Sequence, residues 1–425
     1  MRVRSISLLL AGVILIAWAQ SLFAAGNEQQ FKLKPGANGK LCLKCHNSFQ
    51  EKMTRKYVHT PLKNNECTGC HNAHTSAHGK LLTADADKVC ATCHQSMVSS
   101  KAKSVHKVVA EGGCLKCHDP HSSAYKGNLV KEGKTLCFSC HKPLGDKLAK
   151  VKYRHSPVEK DCLICHQPHA SDDGPFLLKN DVTKLCVGCH KTDKPIFIKK
   201  HMGYPVASAR CTGCHDPHGS DNLGLLLKNV HSPVSKRMCN QCHEDANSAT
   251  PLKTRKEGMT LCRGCHNDMF NKTFDKNRMH WPLVTKEGCL GCHNPHASND
   301  KGLLRKSMAQ LCGSCHSDSM KRIKKNVSKH EPVVEGRCTE CHDPHSSDNL
   351  ALTKKASDYD LCTTCHDWGQ HSTHPIGDKV RDPRNKNLSL GCASCHNAHG
   401  TEYKKMLYYP TTTEMCLQCH EQLKR

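Results

Sequence analysis

Aromatic residues are scarce in this chain, with 8 Phe, 8 Tyr and 3 Trp in 425 residues, and hydrophobic types together reach only 37%. Two or three ordinary domains of this total length would need more apolar material than that to build their cores. Long apolar runs are lacking too. The single one lies at the start, from Ile6 to Trp18, behind Met1-Arg2-Val3-Arg4 and ahead of Ala24 and Ala25. This is the pattern of a secretory signal peptide over residues 1–25; it is short for a spanning helix, and no cysteine follows it to carry a lipid. No later window approaches membrane-spanning length, so no span is expected after cleavage. Acidic residues are also few, 38 against 62 Lys and Arg, for a net charge of +24.

What the chain has in excess is 32 Cys and 33 His. Every cysteine falls in one pattern, Cys-x-x-Cys-His, repeated sixteen times. The first four copies are Cys42, Cys45, His46; Cys67, Cys70, His71; Cys90, Cys93, His94; and Cys114, Cys117, His118. Next come Cys137, Cys140, His141; Cys162, Cys165, His166; Cys186, Cys189, His190; and Cys211, Cys214, His215. The third group is Cys239, Cys242, His243; Cys262, Cys265, His266; Cys289, Cys292, His293; and Cys312, Cys315, His316. The last is Cys338, Cys341, His342; Cys362, Cys365, His366; Cys392, Cys395, His396; and Cys416, Cys419, His420. Two cysteines three apart share one side of a helical turn, where both thiols can form thioethers to one haem, and the next residue supplies an imidazole to its iron. Zinc sites, disulfide scaffolds and thioredoxin-like motifs do not require His after every second Cys. The cofactor expected is therefore haem c, about sixteen copies, covalently attached.

The copies come in two kinds that mostly alternate. One has an apolar residue before its first Cys (Leu41, Val89, Leu136, Leu185, Leu311); the other adds a histidine three places after the first. A His-x-Pro segment usually precedes the second kind, giving a repeat of about fifty residues and two haems. His231-Ser232-Pro233 instead precedes the motif at Cys239, whose Met-Cys-x-Gln-Cys-His-Glu echoes that at Cys416. Taken as terminal caps, these two predict an array of nine haems over residues 26–250 and one of seven over residues 251–425. A single continuous array with an inserted half-repeat is the alternative.

Seventeen histidines remain. Of these, His59, His74, His106, His121, His155, His169, His201, His218, His231, His280, His296, His330, His345, His371, His374 and His399 are expected as second ligands to iron, and His78, outside both contexts, is not. A histidine three residues after the motif's own is too close to reach the opposite face of the same iron, so it is expected to bind a neighbouring haem. Imidazole on both faces favours outer-sphere electron exchange and leaves no open position for substrate, so no catalytic residue is assigned. The fold expected is mostly coil with short helices, wrapped around an extended chain of haems that replaces the missing core. Haem propionates and irons bring the charge from about +22 after processing to about +6 oxidised or about −10 reduced, which removes the case for nucleic acid.

The alternation of Cys-x-x-Cys-His with Cys-x-x-Cys-His-x-x-His resembles the doubled-motif multihaem c-type cytochromes over residues 40–421. The resemblance implies closely packed haems of low potential and electron transfer in the bacterial cell envelope. The implied partners are redox proteins of that envelope, an outer-membrane porin or further copies of the chain, in the periplasm or outside the cell.

Overall fold

In the computed structural model the described residues are 37–95, 97–367 and 374–423, so the expected signal peptide and His371 lie outside them. Two compact units emerge, one of residues 1–150 and 156–181, the other of residues 151–155 and 182–425. Neither has a protein core of ordinary size: only eight apolar side chains are buried among the described residues, Leu62, Val89, Leu148, Tyr204, Phe270, Ala297, Leu390 and Leu407. Among the described residues helices are short as expected, the longest of nine residues (Ala37–Cys45, Lys142–Lys150, Ser317–Lys325). No helix among the described residues is long and apolar enough to cross a membrane.

The two kinds of motif take two local structures. Eight occupy the ends of α-helices: Ala37–Cys45, Ala86–Ala91, Gly133–Phe138, Val182–Val187, Met259–Arg263, Met308–Gly313, Asp358–Cys362 and Thr412–Cys416. The other eight begin a single 3-10 turn at their first cysteine, as in Cys67–Gly69, Cys114–Lys116 and Cys338–Glu340, or one residue before it in Gly288–Gly291. In all sixteen the histidine N–H donates to the carbonyl of the first cysteine at 2.9–3.1 Å, which holds two sulfurs and an imidazole on one turn.

The His-x-Pro segments have a conformational cause. His59, His106, His231, His280 and His330 each precede the first turn of a short helix in extended backbone, φ −59° to −81° and ψ 124° to 136°. Where proline follows, its fixed φ suits the first turn. The two residues ahead of His59, His106, His155, His231 and His280 form a strand of two residues. Tyr57–Val58 pairs antiparallel with Ser122–Ser123, and Ser104–Val105 with Ala170–Ser171. In the second unit Tyr153–Arg154 pairs with Gly219–Ser220, Asn229–Val230 with Ala297–Ser298, and Arg278–Met279 with Ser346–Ser347. Each repeat is thus zipped to a later one just ahead of its histidine. The only longer ladder among the described residues is the hairpin of Gly377–Asp382 and Asn385–Leu390.

The motif at Cys239 departs from the expectation. Cys239–Gln241 is a 3-10 turn behind a His-x-Pro helix, whereas Cys416 ends an α-helix started by the Thr411–Glu414 capping box. The matching heptapeptides therefore take different local backbones, set by the residues upstream of each. Residue 250 falls inside the second compact unit, and ring pairs His231–His266 and His243–His296 join the two sides of it.

Candidate metal centres

Histidines far apart in sequence meet in pairs. In the first unit these are His59 with His94, His71 with His121, His106 with His141 and His118 with His169. In the second they are His155 with His190, His231 with His266, His243 with His296, His280 with His316, His293 with His345, His330 with His366 and His342 with His399. All eleven have ring centroids 5.8–6.2 Å apart and planes within 8–29° of parallel. A metal–imidazole bond of about 2.0 Å on each side, with the ring centre about 1 Å beyond, requires about 6 Å. Each gap therefore fits one metal atom.

The tautomers fit as well. At the eight turn motifs the imidazole Nδ1 lies 2.6–2.9 Å from a carbonyl nine or ten residues downstream, as in His71 to Lys80, His118 to Gly127 and His293 to Gly302. At five of the opposing histidines, His59, His106, His155, His231 and His280, Nδ1 lies 2.8–3.0 Å from the proline carbonyl two residues after a later motif. With Nδ1–H donating to oxygen, Nε2 keeps its lone pair for a metal. Burial lowers the pKa of His121, His169, His296, His345 and His399, which keeps these imidazoles neutral and able to bind.

His330 breaks the pattern: its buried Nδ1 has no partner. Ala398 stands where proline stands in most turn motifs, and Gly400, at φ 93°, lies so close to Ser328 that an added Cβ would fall 2.4 Å from its carbonyl. The pairing shrinks there to a single bridge, Ser328 with Thr401.

No group of three or more His, Cys, Asp or Glu among the described residues could hold a bare metal ion. Each pair offers two ligands only, so a metal held there would have to bring the rest of its coordination shell with it, as a porphyrin does. The thiols agree. First cysteines of successive motifs hydrogen-bond to each other, Cys42 with Cys67, Cys90 with Cys114 and Cys137 with Cys162 in the first unit. The same holds for Cys262 with Cys289, Cys312 with Cys338 and Cys362 with Cys392 in the second. Burial, then the neighbouring thiol, pushes Cys137 up to about 11 and Cys362 to about 12. Cys137 and Cys362, held protonated in this way, are poor thiolate ligands, whereas thioethers carry no charge to penalise. Second cysteines interact across the alternate junctions, Cys70 with Cys93, Cys117 with Cys140, Cys292 with Cys315 and Cys395 with Cys419. At these junctions, within each unit, helix-end and turn motifs thus meet alternately through their first and their second cysteines.

Not every expected ligand is paired. His46 meets Phe49 edge-on at 6.3 Å, and no ring pair forms at His74, His374 or His420 among the described residues. His78 has its Nδ1 2.9 Å from Asp85 rather than a second imidazole. The downstream carbonyls that fix the turn-motif histidines are the feature the sequence reading missed. Most sit on tight turns with consecutive left-handed residues; Gly127, Gly224 and Gly302 mark three of them, while Lys80 and Leu81, Phe176 and Leu177, or Ala351 and Leu352 carry no glycine. A recurrent leucine eleven or twelve residues after the histidine, bridged to it at Leu82, Leu129, Leu178 and Leu304, was the available signal.

A search of curated protein sequences finds no match. The model of the family described as "Doubled CXXCH motif" matches residues 59–99, 106–146, 155–195, 204–230, 231–271, 280–321, 330–371 and 385–425. Seven of these segments hold two motifs, 204–230 holds one, and 231–271 runs through residue 250. With eight segments spread over most of its length, each carrying the attachment cysteines and histidines described above, the chain belongs to the doubled CXXCH family of multihaem c-type cytochromes, electron-transfer proteins with covalently bound haem c.

Proposed function

We propose that the chain binds sixteen haems c, each between two histidines, and conducts electrons along them through the cell envelope, from the periplasm toward the outer membrane and acceptors outside the cell. The observation that carries this reading is the series of near-parallel imidazole pairs about 6 Å apart, each beside a Cys-x-x-Cys turn. Bound haem c supplies one-electron iron chemistry at each site. The chain's own residues do the rest. The paired imidazoles would hold a haem iron from both sides, leaving no open position for substrate and suiting outer-sphere electron exchange, which supports a conductor rather than an enzyme. Contacting sulfurs of successive motifs keep neighbouring attachment points together, and the chain wraps cofactors that serve as its core. Redox proteins of the envelope are its partners, with docking to an outer-membrane porin or to further copies as the routes outward.

Denatured mass of the processed protein should exceed the apoprotein by sixteen haems, and the ferric spectrum should be low-spin. A product holding fewer than about fourteen haems would defeat full loading. A substantial high-spin fraction that turned over nitrite or hydroxylamine would replace the conductor with an enzyme.

A further inference from the structure

The matched segment 204–230 carries only the turn motif at Cys211, Cys214 and His215; the helix-end motif that completes every other repeat is missing. Two histidine relationships are upset as a result. His201, which precedes this motif, has no following helix-end motif to face. His215, which by the pattern of His71 with His121 should face the extra histidine of the next turn motif, finds Ala246 at that position. The structure brings the two left-over rings together instead, His201 and His215 at 6.2 Å between centroids, within the range of the other pairs. Their planes, however, stand at 64°.

The backbone explains the angle. His201 follows the last turn of the helix Pro195–Lys200 (φ −102°, ψ 18°), whereas the other opposing histidines precede a helix in extended backbone. Its Nδ1 lies 2.9 Å from the carbonyl of Phe197, four residues back, and the Phe197 ring packs against it at 4.2 Å. Buried Tyr204 fixes the other side of the junction by donating its hydroxyl to the carbonyl of Glu244 at 2.8 Å. The alternation of cysteines changes step here too, since Cys214 interacts with the first cysteine of the next motif, Cys239.

We infer that the centre at Cys211, Cys214 and His215 takes His201 as its second imidazole with the ring planes crossed, making it electronically distinct from the near-parallel centres. This rests on the two-imidazole reading proposed above. Crossed planes leave the two iron π orbitals closer in energy than parallel ones, so the ferric centre resonates at higher g and differs in potential from its neighbours. It marks one electronically singular step where the repeat is cut short.

Electron paramagnetic resonance of the fully loaded, full-length ferric protein tests this. The wild type should show a high-g feature worth about one haem in sixteen outside the main low-spin envelope. His201→Ala should abolish that feature and create one high-spin centre open to cyanide. No high-g feature in the wild type, or an unchanged spectrum in the variant, overturns the inference. A wild type that is high-spin throughout would sink the two-imidazole reading itself, a different result. Should His201→Ala fail to mature, Phe197→Ala keeps both ligands and frees the ring. The feature should then move into the main envelope with no high-spin signal, and its staying in place overturns the crossed-plane assignment.

Discussion

At the turn sites of His71, His118, His293 and His342 the imidazole anchored by a carbonyl is the motif's own. At the helix-end sites of His94, His141, His190, His266 and His316 it is the one opposite, His59, His106, His155, His231 or His280. The motif supplies two sulfurs and an imidazole in both cases, yet the second support comes from opposite sides. The remaining ring differs as well. At helix ends it is held by the turn that carries the cysteines, and at turn sites it is His121 or His345, whose own N–H is bound by Asp119 or Asp343. One anchored ring per pair is evidently enough to set tautomer and plane, since both kinds reach the same separation.

The largest disturbance of this scheme is a cut at residue 250, which separates one pair of each kind: His243 from His296 at a turn site and His266 from His231 at a helix end. Residues 26–250 and 251–425, expressed separately with a signal peptide, should each mature with one high-spin haem that the intact chain lacks. Two fully low-spin fragments would show that the pairs are dispensable and the halves independent.

Single substitutions come next. His59→Ala and His121→Ala should each turn one haem high-spin, but their structural costs should differ. Loss of His59 removes an anchored ring and its bond to the Pro120 carbonyl, about 1 kcal/mol beyond the lost ligand. Loss of His121 removes a ring with no such bond, and its N–H to Asp119 survives as backbone. Reducing-agent-free urea titrations of the two holoproteins should place the His59 variant lower, and equal midpoints would remove the distinction between anchored and tethered rings.

A smaller effect is expected at Asp119, whose carboxylate accepts from the N–H of His121 at 2.9 Å and of Ser122 at 3.3 Å. Asp119→Ala should cost about 1 kcal/mol, and Asp119→Asn should recover most of it, as Asn294 does in the equivalent turn before His296. If Asp119→Asn were as damaging as Asp119→Ala, charge rather than the turn bond would be the contribution.

Both classes of histidine could be read from the sequence because covalent chemistry fixes Cys-x-x-Cys-His and proline fixes the approach of His59, His155, His231 and His280. Less was legible where backbone acts without a residue signature. Phe176, Ala351 and Lys405 adopt left-handed conformations that glycine would advertise, so the carbonyls they aim at His166, His342 and His396 leave no mark. Met238 before Cys239 imitates the apolar residue of a helix-end motif while Pro233 upstream commits the segment to a turn. Which histidine faces which could not be read at all, because the near-parallel partners lie 35 to 57 residues apart and are chosen by strand pairing.

The smallest predicted effect concerns the hairpin of Gly377–Asp382 and Asn385–Leu390. Arg384 holds the carboxylate of Asp382 through both oxygens, at 2.9 and 2.6 Å, and donates its backbone N–H as well. Asp382 is almost fully buried, and these donors pull its pKa down to about 2. A folded-state pKa below the unfolded value of about 3.9 means the stabilisation is complete above that value and disappears as pH falls toward 2. Roughly 2 kcal/mol of hairpin stability should therefore be lost between about pH 4 and pH 2. Hydrogen exchange of the hairpin amides, corrected for the intrinsic rate at each pH, should show protection falling across that window in the wild type and little pH dependence in Asp382→Asn. Protection that held steady to pH 2 in the wild type would mean that strand pairing, rather than this ion pair, sustains the hairpin.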